Sequence, residues 1–376
     1  MNFGFSDEQK DVQNLAREIL TDLVTPESLA AYDDYKNERF DQALWAKLAE
    51  AGLLGVAIDE QFGGMGFGFI ELALFVEEVG RSLAPVPVVS HCVSAAMTIQ
   101  KFGSETQKQS LLPGAAKGEL LLTAALLEDG VQTPDMTAQT TGIKQPDGSY
   151  KVSGVKVCVP FAASAERMVL PVATDEGVVL LLLNPKAEGV SLSLTKVTTY
   201  EPQYLVELDE VQVGSEDVLS EDPFAASWLG ERTAAALCAM QVGLTDKAMR
   251  MTASYTAERE QFGVLIATFQ AVGHRAANCF IDVGCLQLTT YQAVALLALE
   301  SEATNEVTIA KIWAGDVGHR VSYASQHLHG GMGIDRDYPL WRYCLWMRQN
   351  EMTLGNSAQQ LSVLGDRIAA GVALFS

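Results

Sequence analysis

The sequence predicts a mostly α-helical protein with a β-domain in the middle of the chain, and three patterns lead to this fold class. From residue 1 to about residue 120, apolar residues recur at three- and four-residue spacing, which is typical of helices. From about residue 120 to residue 218, β-branched residues alternate with polar ones between turn signals. From Phe224 onward, long segments with apolar stripes return. We therefore expect an N-terminal helical domain at 1–119, a middle β-domain at 120–220 and a C-terminal four-helix bundle at 221–376.

Composition places the chain among folded globular proteins. Of its 376 residues, 48% are hydrophobic and 19% are charged, so it can bury a sizeable core and more than one domain. The formal net charge is -21, from 26 Lys and Arg against 47 Asp and Glu. Proteins that bind nucleic acid carry basic surfaces, so we expect no nucleic-acid partner. An anionic cofactor remains compatible with this balance, because a few local cations suffice to bind it.

We expect a cytoplasmic protein without a membrane span or a metal site. The N-terminal MNFGFSDEQKDVQ is polar and acidic, unlike a signal peptide. No window reaches the roughly 18 apolar residues that are needed to cross a membrane. The six cysteines include no C-x-x-C pair, which favours reduced thiols. The five histidines include no HExxH motif, so the sequence offers no metal centre.

Helices in the first third have recognisable starts and stops. Ser6-Asp-Glu-Gln is a plausible capped start. Phe40–Ala51 and Ile70–Arg81 carry apolar residues at helical spacing. Pro85-Val-Pro87 predicts a helix stop, and two further short helices are expected within Lys101–Gly118.

The middle third begins with a strong hairpin signal. In TTGIKQPDGSYKVSGVKVCV, a Pro-Asp-Gly-Ser turn separates alternating β-branched residues. Val178–Leu183 and Tyr204–Leu208 are further predicted strands. Several short strands at this spacing favour a small barrel or a sandwich.

Four segments of the last third carry long apolar stripes and predict an antiparallel bundle. They are Ala225–Glu258, Phe269–Leu299, Thr304–His327 and Tyr338–Ala373.

The turn after the first of these helices brings together side chains suited to a ligand. Arg259 stands at the helix end, followed by Gln261 and by Phe262-Gly263, where the glycine can stop the helix. A guanidinium, an amide and an aromatic ring suit a ligand with phosphates and a flat ring. The same arginine could merely favour the helix dipole, and local features leave both interpretations open.

Three separated motifs resemble the acyl-CoA dehydrogenase family. They are GLLGVAIDEQFGGMGFGFIELALFVEEVGR at 52–81, ER-x-QFG-x-x-I-x-x-FQ at 258–270 and HGGMGIDRDYPLWR at 329–342. Their order along the chain is that of the family. The resemblance implies the family's architecture, in which the middle domain is a small β-barrel. It also implies FAD as the cofactor, an acyl-CoA thioester as substrate and an electron-transfer flavoprotein as acceptor. The implied reaction is α,β-desaturation, in which a carboxylate removes the α proton.

The catalytic Glu of that family is missing from both positions where members carry it. One position holds Leu354, in the segment Met352-Thr353-Leu354-Gly355, and the other holds Thr233. Neither side chain can act as the base. Glu231 is a weak candidate, because two residues correspond to about 200° around a helix and place it on another face. Glu351 lies three residues before the loop position, and we expect it to be solvated.

Two flavin-binding stretches of the family are also altered. Where members carry T-E-P-x-A-G-S-D, this chain reads Leu127-Glu128-Asp129-Gly130-Val131-Gln132-Thr133. Where members pack a Trp and a Thr against the flavin ring, it reads Cys158-Val159-Pro160.

By contrast, the C-terminal motifs match positions that touch a flavin held mainly by a neighbouring subunit. The resemblance implies seven cofactor-binding residues, which are Arg259, Gln261, Phe262, Gln270, His327, Gly330 and Gly331. The glycines would allow close backbone approach, although they could also only turn the chain between helices.

This combination resembles the base-deficient subunit of bacterial heterotetrameric acyl-CoA dehydrogenases that act on steroid side chains. It implies a homologous partner that carries the catalytic Glu, in a heterodimer or heterotetramer. One alternative is a homomeric acyl-CoA dehydrogenase with a relocated base, Glu231 first. The other is a non-catalytic scaffold or binding protein that has lost the cofactor.

Overall fold

The computed structural model describes residues 4–130, 133 and 139–373, which fall into two compact units. Unit 1 consists of Met1–Ile19, Ala31–Leu72 and Pro85–Thr233. Unit 2 consists of Leu20–Ala30, Ala73–Ala84 and Ala234–Ser376. Along the chain, a helical region, a β-region and a second helical region follow one another, as the sequence predicts.

Six α-helices occupy the first part of the chain. They are α1 (Asp7–Leu23), α2 (Pro26–Ala30), α3 (Gln42–Glu50), α4 (Phe69–Ser82), α5 (Thr98–Phe102) and α6 (Glu105–Ala116). The predicted capped start is confirmed, because the Ser6 hydroxyl accepts from the Gln9 backbone N–H and the Gln9 side chain accepts from the Ser6 N–H.

A π-helix, Val89–Met97, follows the predicted stop at Pro85-Val-Pro87 and was not expected from the sequence. It places His91 in the core of unit 1, where the side chain is fully buried. The His91 Nδ1 accepts from the Leu122 N–H at 3.0 Å, so Nε2 carries the proton and faces the Ala115 carbonyl at 3.2 Å. Burial lowers the pKa of His91 to about 4.

The middle of the chain forms one mixed eight-stranded sheet. The strands are β1 (Leu122–Ala124), β2 (Thr141–Lys144), β3 (Tyr150–Pro160), β4 (Arg167–Thr174), β5 (Gly177–Leu183), β6 (Val190–Thr195), β7 (Gln203–Val213) and β8 (Val218–Ser220). Their order is β6-β7-β3-β2-β4-β5-β8, with β1 paired in parallel to β4. The predicted hairpin is confirmed, since β2 and β3 pair antiparallel across the Pro-Asp-Gly-Ser turn.

Five α-helices form the last part of the chain. They are α7 (Phe224–Glu258), α8 (Gln270–Ala298), α9 (Thr304–His329), α10 (Leu340–Met352) and α11 (Ser357–Ala369). The single helix predicted over Tyr338–Ala373 is therefore wrong. It is interrupted because Leu354 and Gly355 adopt positive φ angles of 55° and 86°, after which Asn356 caps α11.

Within unit 2, α4 and α7 cross at two glycines. A Cβ added to Gly243 would lie 1.9 Å from the Glu77 carbonyl oxygen, and one added to Gly80 would lie 2.3 Å from the Met240 carbonyl oxygen. The two backbones are thus in direct contact, and only glycine fits at either position.

Arg81, next to this crossing, joins three carboxylates. Its guanidinium forms ion pairs with Glu77 at 2.7 Å, with Glu78 at 3.1 Å and with Asp246 of α7. The Glu77 carboxylate also accepts from the Tyr291 hydroxyl of α8 at 2.6 Å. Although burial opposes the charge, the three carboxylates hold the pKa of Arg81 above its ordinary value. This network fixes α4, α7 and α8 relative to one another.

The other helices of unit 2 pack around α9. Antiparallel α8 and α9 are joined by Arg320, which donates to Asp282 at 2.7 and 3.0 Å. Lys311 of α9 is fully buried and donates to the last carbonyl oxygens of α10, those of Asn350 and Glu351, both at 3.1 Å. The Gln241 amide of α7 donates to backbone carbonyls of both α9 and α10.

One helix bears on the expectation that no segment spans a membrane. Among the described residues, α8 is long and apolar enough to cross a membrane by length and composition, with a mean hydropathy of 1.3 in its best window. Core helices of other proteins pass the same test, and only 33% of this window is buried within the chain. The exposed apolar face of α8 is therefore a property of unit 2 that the sequence did not indicate.

We predict that His91 makes the stability of the protein fall in mild acid. The unfolded chain takes up a proton on this histidine below about pH 6.5, whereas the folded chain resists it down to about pH 4. The free energy of unfolding should therefore decrease by about 3 kcal/mol as the pH falls through this window. Urea denaturation from pH 7 to pH 4 should show a shallower decrease for His91→Gln, and parallel profiles for the two proteins would contradict the assignment.

Candidate functional site

An exposed hairpin follows α7 in unit 2 and contains three of the seven predicted cofactor-binding residues, Arg259, Gln261 and Phe262. α7 ends at Glu258, and the two short strands β9 (Glu260–Gln261) and β10 (Val264–Leu265) pair antiparallel. The turn between them holds Phe262 and Gly263 at positive φ angles of 57° and 79°. The Phe262 side chain is 93% exposed. A large apolar side chain held out in this way is typical of a surface that meets a ligand or a partner.

Arg259 lies at the base of the hairpin and is exposed. Its carbonyl oxygen accepts from the Ile266 N–H at 2.8 Å, which closes the hairpin. Its guanidinium makes neither a hydrogen bond nor an ion pair with any residue that the structure describes. Gln261 and Gln270 are also exposed, and Gln270 opens α8. The Gln261 amide donates to the Glu260 carbonyl at 2.6 Å, whereas the Arg259 and Gln270 side chains have no acceptor among the described residues.

The end of α9 reaches the same end of unit 2. The Tyr255 ring, in the last turn of α7, stacks on His329 with the ring centroids 4.3 Å apart. His329 Nδ1 donates to the Ser325 carbonyl at 2.8 Å, and Nε2 accepts from the Tyr338 hydroxyl at 3.2 Å. Burial lowers the pKa of His329 and favours this neutral form. The aromatic cluster thus anchors the turn that follows α9.

That turn, Gly330–Ile334, contains the predicted glycine pair. Gly330 has a φ of 60° and ends α9, so it turns the chain. An added Cβ on Gly331 would meet nothing within 4 Å, and the φ of this residue is not positive. By contrast, an added Cβ on Gly333 would lie 2.5 Å from the Gln326 carbonyl oxygen. The chain itself therefore requires glycine at Gly330 and Gly333, and the space beside Gly331 is open.

His327, the last of the predicted residues, lies in the last turn of α9 and is exposed. Its ring lies parallel to that of Tyr323, with a centroid distance of 6.5 Å and an interplanar angle of 13°. All seven predicted residues thus lie at one end of unit 2, although their role in cofactor binding stays a prediction.

The charges at this end differ from those of the chain as a whole. No Asp or Glu occurs from Gln261 to Ile281 or from Val317 to Ile334, although the net charge of the chain is -21. Asp282, just beyond the first of these segments, is paired with Arg320. Arg259 itself is flanked by Glu258 and Glu260, and Asp335 follows the turn after α9, so the two stretches favour an anion only locally.

In the loop where family members carry the catalytic Glu, this chain has a buried hydrocarbon side chain, Leu354. Leu354 is 2% exposed and adopts a left-handed backbone conformation. Its carbonyl oxygen accepts from the Gln360 amide at 2.8 Å, which fixes the loop. No ionisable group is present at this point of the loop.

We expected the neighbouring acid, Glu351, to be solvated, and this expectation is wrong. Its side chain is only 13% exposed, and its carboxylate accepts from the Arg348 guanidinium at 2.6 Å. Because Arg348 lies one turn earlier on α10, the pair forms within the helix. Glu351 is thus held by a cation and points along its own helix.

The second base position belongs to unit 1 and holds a neutral hydroxyl pair. Thr233 is 5% exposed, and its hydroxyl lies 3.0 Å from the Ser94 hydroxyl of the π-helix. Glu231, the weak candidate, is half-buried on α7 and is separated from Thr233 by the buried Arg232. The guanidinium carbon of Arg232 lies 3.8 Å from the centroid of the Trp228 ring.

In the first of the two β-domain segments that correspond to flavin-binding stretches of the family, the Glu128 carboxylate is engaged within the chain. Glu128 is buried and paired with the buried Lys156, and it also accepts from the Thr140 N–H at 3.0 Å. Burial opposes its charge, but Lys156 and the backbone donors hold the pKa of Glu128 below its ordinary value. Val131 and Gln132 of this segment lie outside the described residues.

The second of these segments presents no aromatic ring and no hydroxyl. Cys158 has a φ of 52°, and Pro160 has no N–H to donate. The Pro160 carbonyl oxygen already accepts from the Thr123 hydroxyl at 2.6 Å. At Cys158-Val159-Pro160 this chain therefore offers neither the aromatic ring nor the hydroxyl that family members place against the flavin.

Sequence reasoning missed the residues that hold this end together. Tyr255, His329 and Tyr338 connect the end of α7 to the end of α9 and the turn that follows it, and Arg275 of α8 lies beside Tyr323. The acid-free stretches, visible in the sequence, would have pointed to both segments.

The comparisons with known proteins agree on one family. The chain matches the descriptions "Acyl-CoA dehydrogenase, N-terminal domain" over residues 6–119 and "Acyl-CoA dehydrogenase, C-terminal domain" over residues 227–369. It is similar to "Acyl-CoA dehydrogenase FadE27" of Mycobacterium tuberculosis (strain ATCC 25618 / H37Rv), with 33% identity over 98% of this chain and 99% of that protein.

Two solved structures resemble the chain over nearly its full length. One is the "ChsE4-ChsE5 complex from Mycobacterium tuberculosis", with a TM-score of 0.93 and 33% identity over 99% of this chain and 100% of the other. The second is a "Tcur3481-Tcur3483 steroid ACAD", with a TM-score of 0.90 and 38% identity over 97% of this chain and 98% of the other.

We predict opposite effects of alanine at two glycines of the turn after α9. Gly333→Ala should lower the free energy of unfolding by about 1–3 kcal/mol, because its methyl group would overlap the Gln326 backbone. Gly331→Ala should change it by less than about 0.5 kcal/mol. Chemical denaturation of the chain alone measures both values. If Gly331→Ala destabilises as much as Gly333→Ala does, Gly331 serves only to turn the chain.

Proposed function

The chain belongs to the acyl-CoA dehydrogenase family, and from this we propose that it is the base-deficient subunit of a heteromeric acyl-CoA dehydrogenase. In this role it completes the flavin site of a homologous catalytic subunit. The reaction is α,β-desaturation of an acyl-CoA thioester, for which bound FAD supplies the hydride acceptor.

The chemistry at the two base positions carries the proposal. Proton removal next to a thioester carbonyl requires a group that ionises in the working pH range and reaches the α carbon. Leu354 has no such group, and Thr233 offers a hydroxyl that is shared with Ser94. Glu351 is held by Arg348. The base therefore comes from the partner subunit.

The exposed end of unit 2 supplies what the partner's site lacks. The Arg259 guanidinium, free of partners among the described residues, would pair with the diphosphate of FAD. The exposed amides of Gln261 and Gln270 would donate to the same half of the cofactor. The open space at Gly331 would admit the cofactor close to the backbone.

Phe262 and His327 serve the same site by excluding water. Phe262 is the most exposed large apolar side chain among those described, and covering it would remove much apolar surface from water. His327 extends the flat surface of Tyr323 and would lie against a ring of the cofactor.

The relatives extend the proposal to a partner and a substrate class. Because the chain resembles a member of the ChsE4-ChsE5 complex and a "steroid ACAD", we assign it a homologous partner that carries the catalytic Glu, in a heterodimer or heterotetramer. The acyl group is then a steroid side chain. A cytoplasmic location and an electron-transfer flavoprotein as electron acceptor follow from the family's chemistry.

We predict that the chain expressed alone contains little flavin, whereas co-expression with its homologous partner gives a yellow heteromer. The absorbance spectrum and the native mass, measured together, test both parts. A yellow homomer that reduces an acceptor dye with acyl-CoA would contradict the proposal and would favour a relocated base. Colourless protein in every combination of the two chains would favour a scaffold.

We also predict that no acid of this chain is essential for turnover. In the heteromer, Glu231→Gln and Glu351→Gln should each keep kcat within about threefold, because neither carboxylate reaches the α carbon in this proposal. Replacing the partner's catalytic Glu by Gln is the positive control and should abolish turnover. A loss of 1,000-fold or more for either variant of this chain, with an intact heteromer, would identify that residue as the base; such a loss is typical of catalytic acid–base groups, on the order of 10²–10⁴.

A further inference from the structure

Arg275 of α8 is a half-buried arginine without a counterion among the described residues. Its guanidinium makes no hydrogen bond or ion pair with any described residue, and its Nη1 is shielded from water. By contrast, Arg320 and Arg348 each pair with a carboxylate. A shielded guanidinium nitrogen without an acceptor is costly. Its acceptor is therefore expected from outside the chain.

Among the described residues near Arg275, no group is available to accept a hydrogen bond from its guanidinium. Asp282, two turns further along α8, is occupied by Arg320 through two hydrogen bonds. Burial raises the pKa of the neighbouring Cys279 thiol to about 11, so it is uncharged at neutral pH. The stretch from Gln261 to Ile281 contains no acid.

Arg275 is connected to the proposed cofactor site through two aromatic rings. Its guanidinium carbon lies 5.7 Å from the centroid of the Tyr323 ring, and Tyr323 stacks on His327. Arg275 also lies five residues after Gln270, which is about 7.5 Å of helix rise. Tyr323 is 63% exposed, so this side of Arg275 lies near the protein surface.

The chemistry around Arg275 favours a diphosphate as the acceptor. A diphosphate carries more than one negative charge, and Arg259 alone supplies one cation at this end. The exposed start of α8 adds the positive end of a helix dipole between the two arginines. The Tyr323–His327 pair offers a flat face for a purine ring beside the phosphates.

We propose that Arg275 is a second cation that this chain donates to the partner-held FAD, where it pairs with the diphosphate on the side of the Tyr323–His327 face. The inference rests on the proposed function, because it requires a cofactor held by another subunit. It adds a residue that the family motifs in this sequence do not include.

The test is FAD binding by the deflavinated heteromer, measured by flavin fluorescence titration. Arg275→Met should raise the Kd for FAD at least about tenfold, as expected for the loss of one charge-assisted hydrogen bond. Arg275→Lys should recover part of the loss. The matched control is Arg367→Met, which removes the same charge from α11, where Arg367 bonds to Asn305 and not to the site. The control should leave the Kd unchanged.

Riboflavin binding tells whether the acceptor of Arg275 is the FAD diphosphate or a carboxylate of the partner subunit. Riboflavin has no phosphate, so Arg275→Met should leave its binding unchanged. If the guanidinium instead pairs with a carboxylate of the partner, Arg275→Met will promote subunit dissociation on dilution and leave the FAD affinity of the intact heteromer unchanged. That result would overturn the inference.

The variant Arg259→Met, measured in parallel, distinguishes failure of this inference from failure of the proposed function. If Arg259→Met weakens FAD binding and Arg275→Met does not, Arg275 is no cofactor ligand while the shared site stands. If neither variant affects the FAD of a heteromer, or if the parent pair binds no FAD, the proposed function fails as well.

Discussion

The direct backbone contact between α4 and α7 at Gly80 and Gly243 is the constraint on which the rest of unit 2 depends. A single methyl group at either position would push the helices apart, and the Arg81 ion pairs beside the contact require the close approach. Tyr291 extends this network to α8. α7 is continuous from the contact to its last turn, so the crossing determines where Tyr255 and Arg259 are presented.

Most of the fold could be predicted from local patterns, and the exceptions have physical reasons. Apolar spacing identified the long helices, and Pro-Asp-Gly-Ser identified the β2–β3 hairpin, because both depend on nearby residues. The break at Leu354 was missed, since a leucine at positive φ leaves no signal in an apolar stripe. The π-helix and the buried pairing of Glu351 depend on packing and neighbouring charges that spacing does not report.

Some residues of the candidate site could likewise be predicted from the sequence, and others could not. Arg259, Gln270 and the glycine pair belong to motifs that can be read along the chain, and the structure places them at one end of unit 2. Arg275 could not be predicted, because its importance rests on the acceptor that it lacks. At this end of unit 2, Arg259 and Arg275 have no acceptor among the described residues, and aromatic rings are exposed, so the end suits a ligand from outside the chain. In the β-domain, by contrast, the buried Glu128 is already paired with Lys156 of the same chain.

The ratio of flavin to protein in the purified heteromer tests this account most directly. Quantitative absorbance after denaturation, combined with subunit masses, gives the number of FAD molecules for each pair of chains. The account predicts one FAD for each pair, because the partner's β-domain holds the cofactor and this chain only completes the site. Two FAD molecules for each pair would show that this β-domain binds its own flavin and would contradict the account.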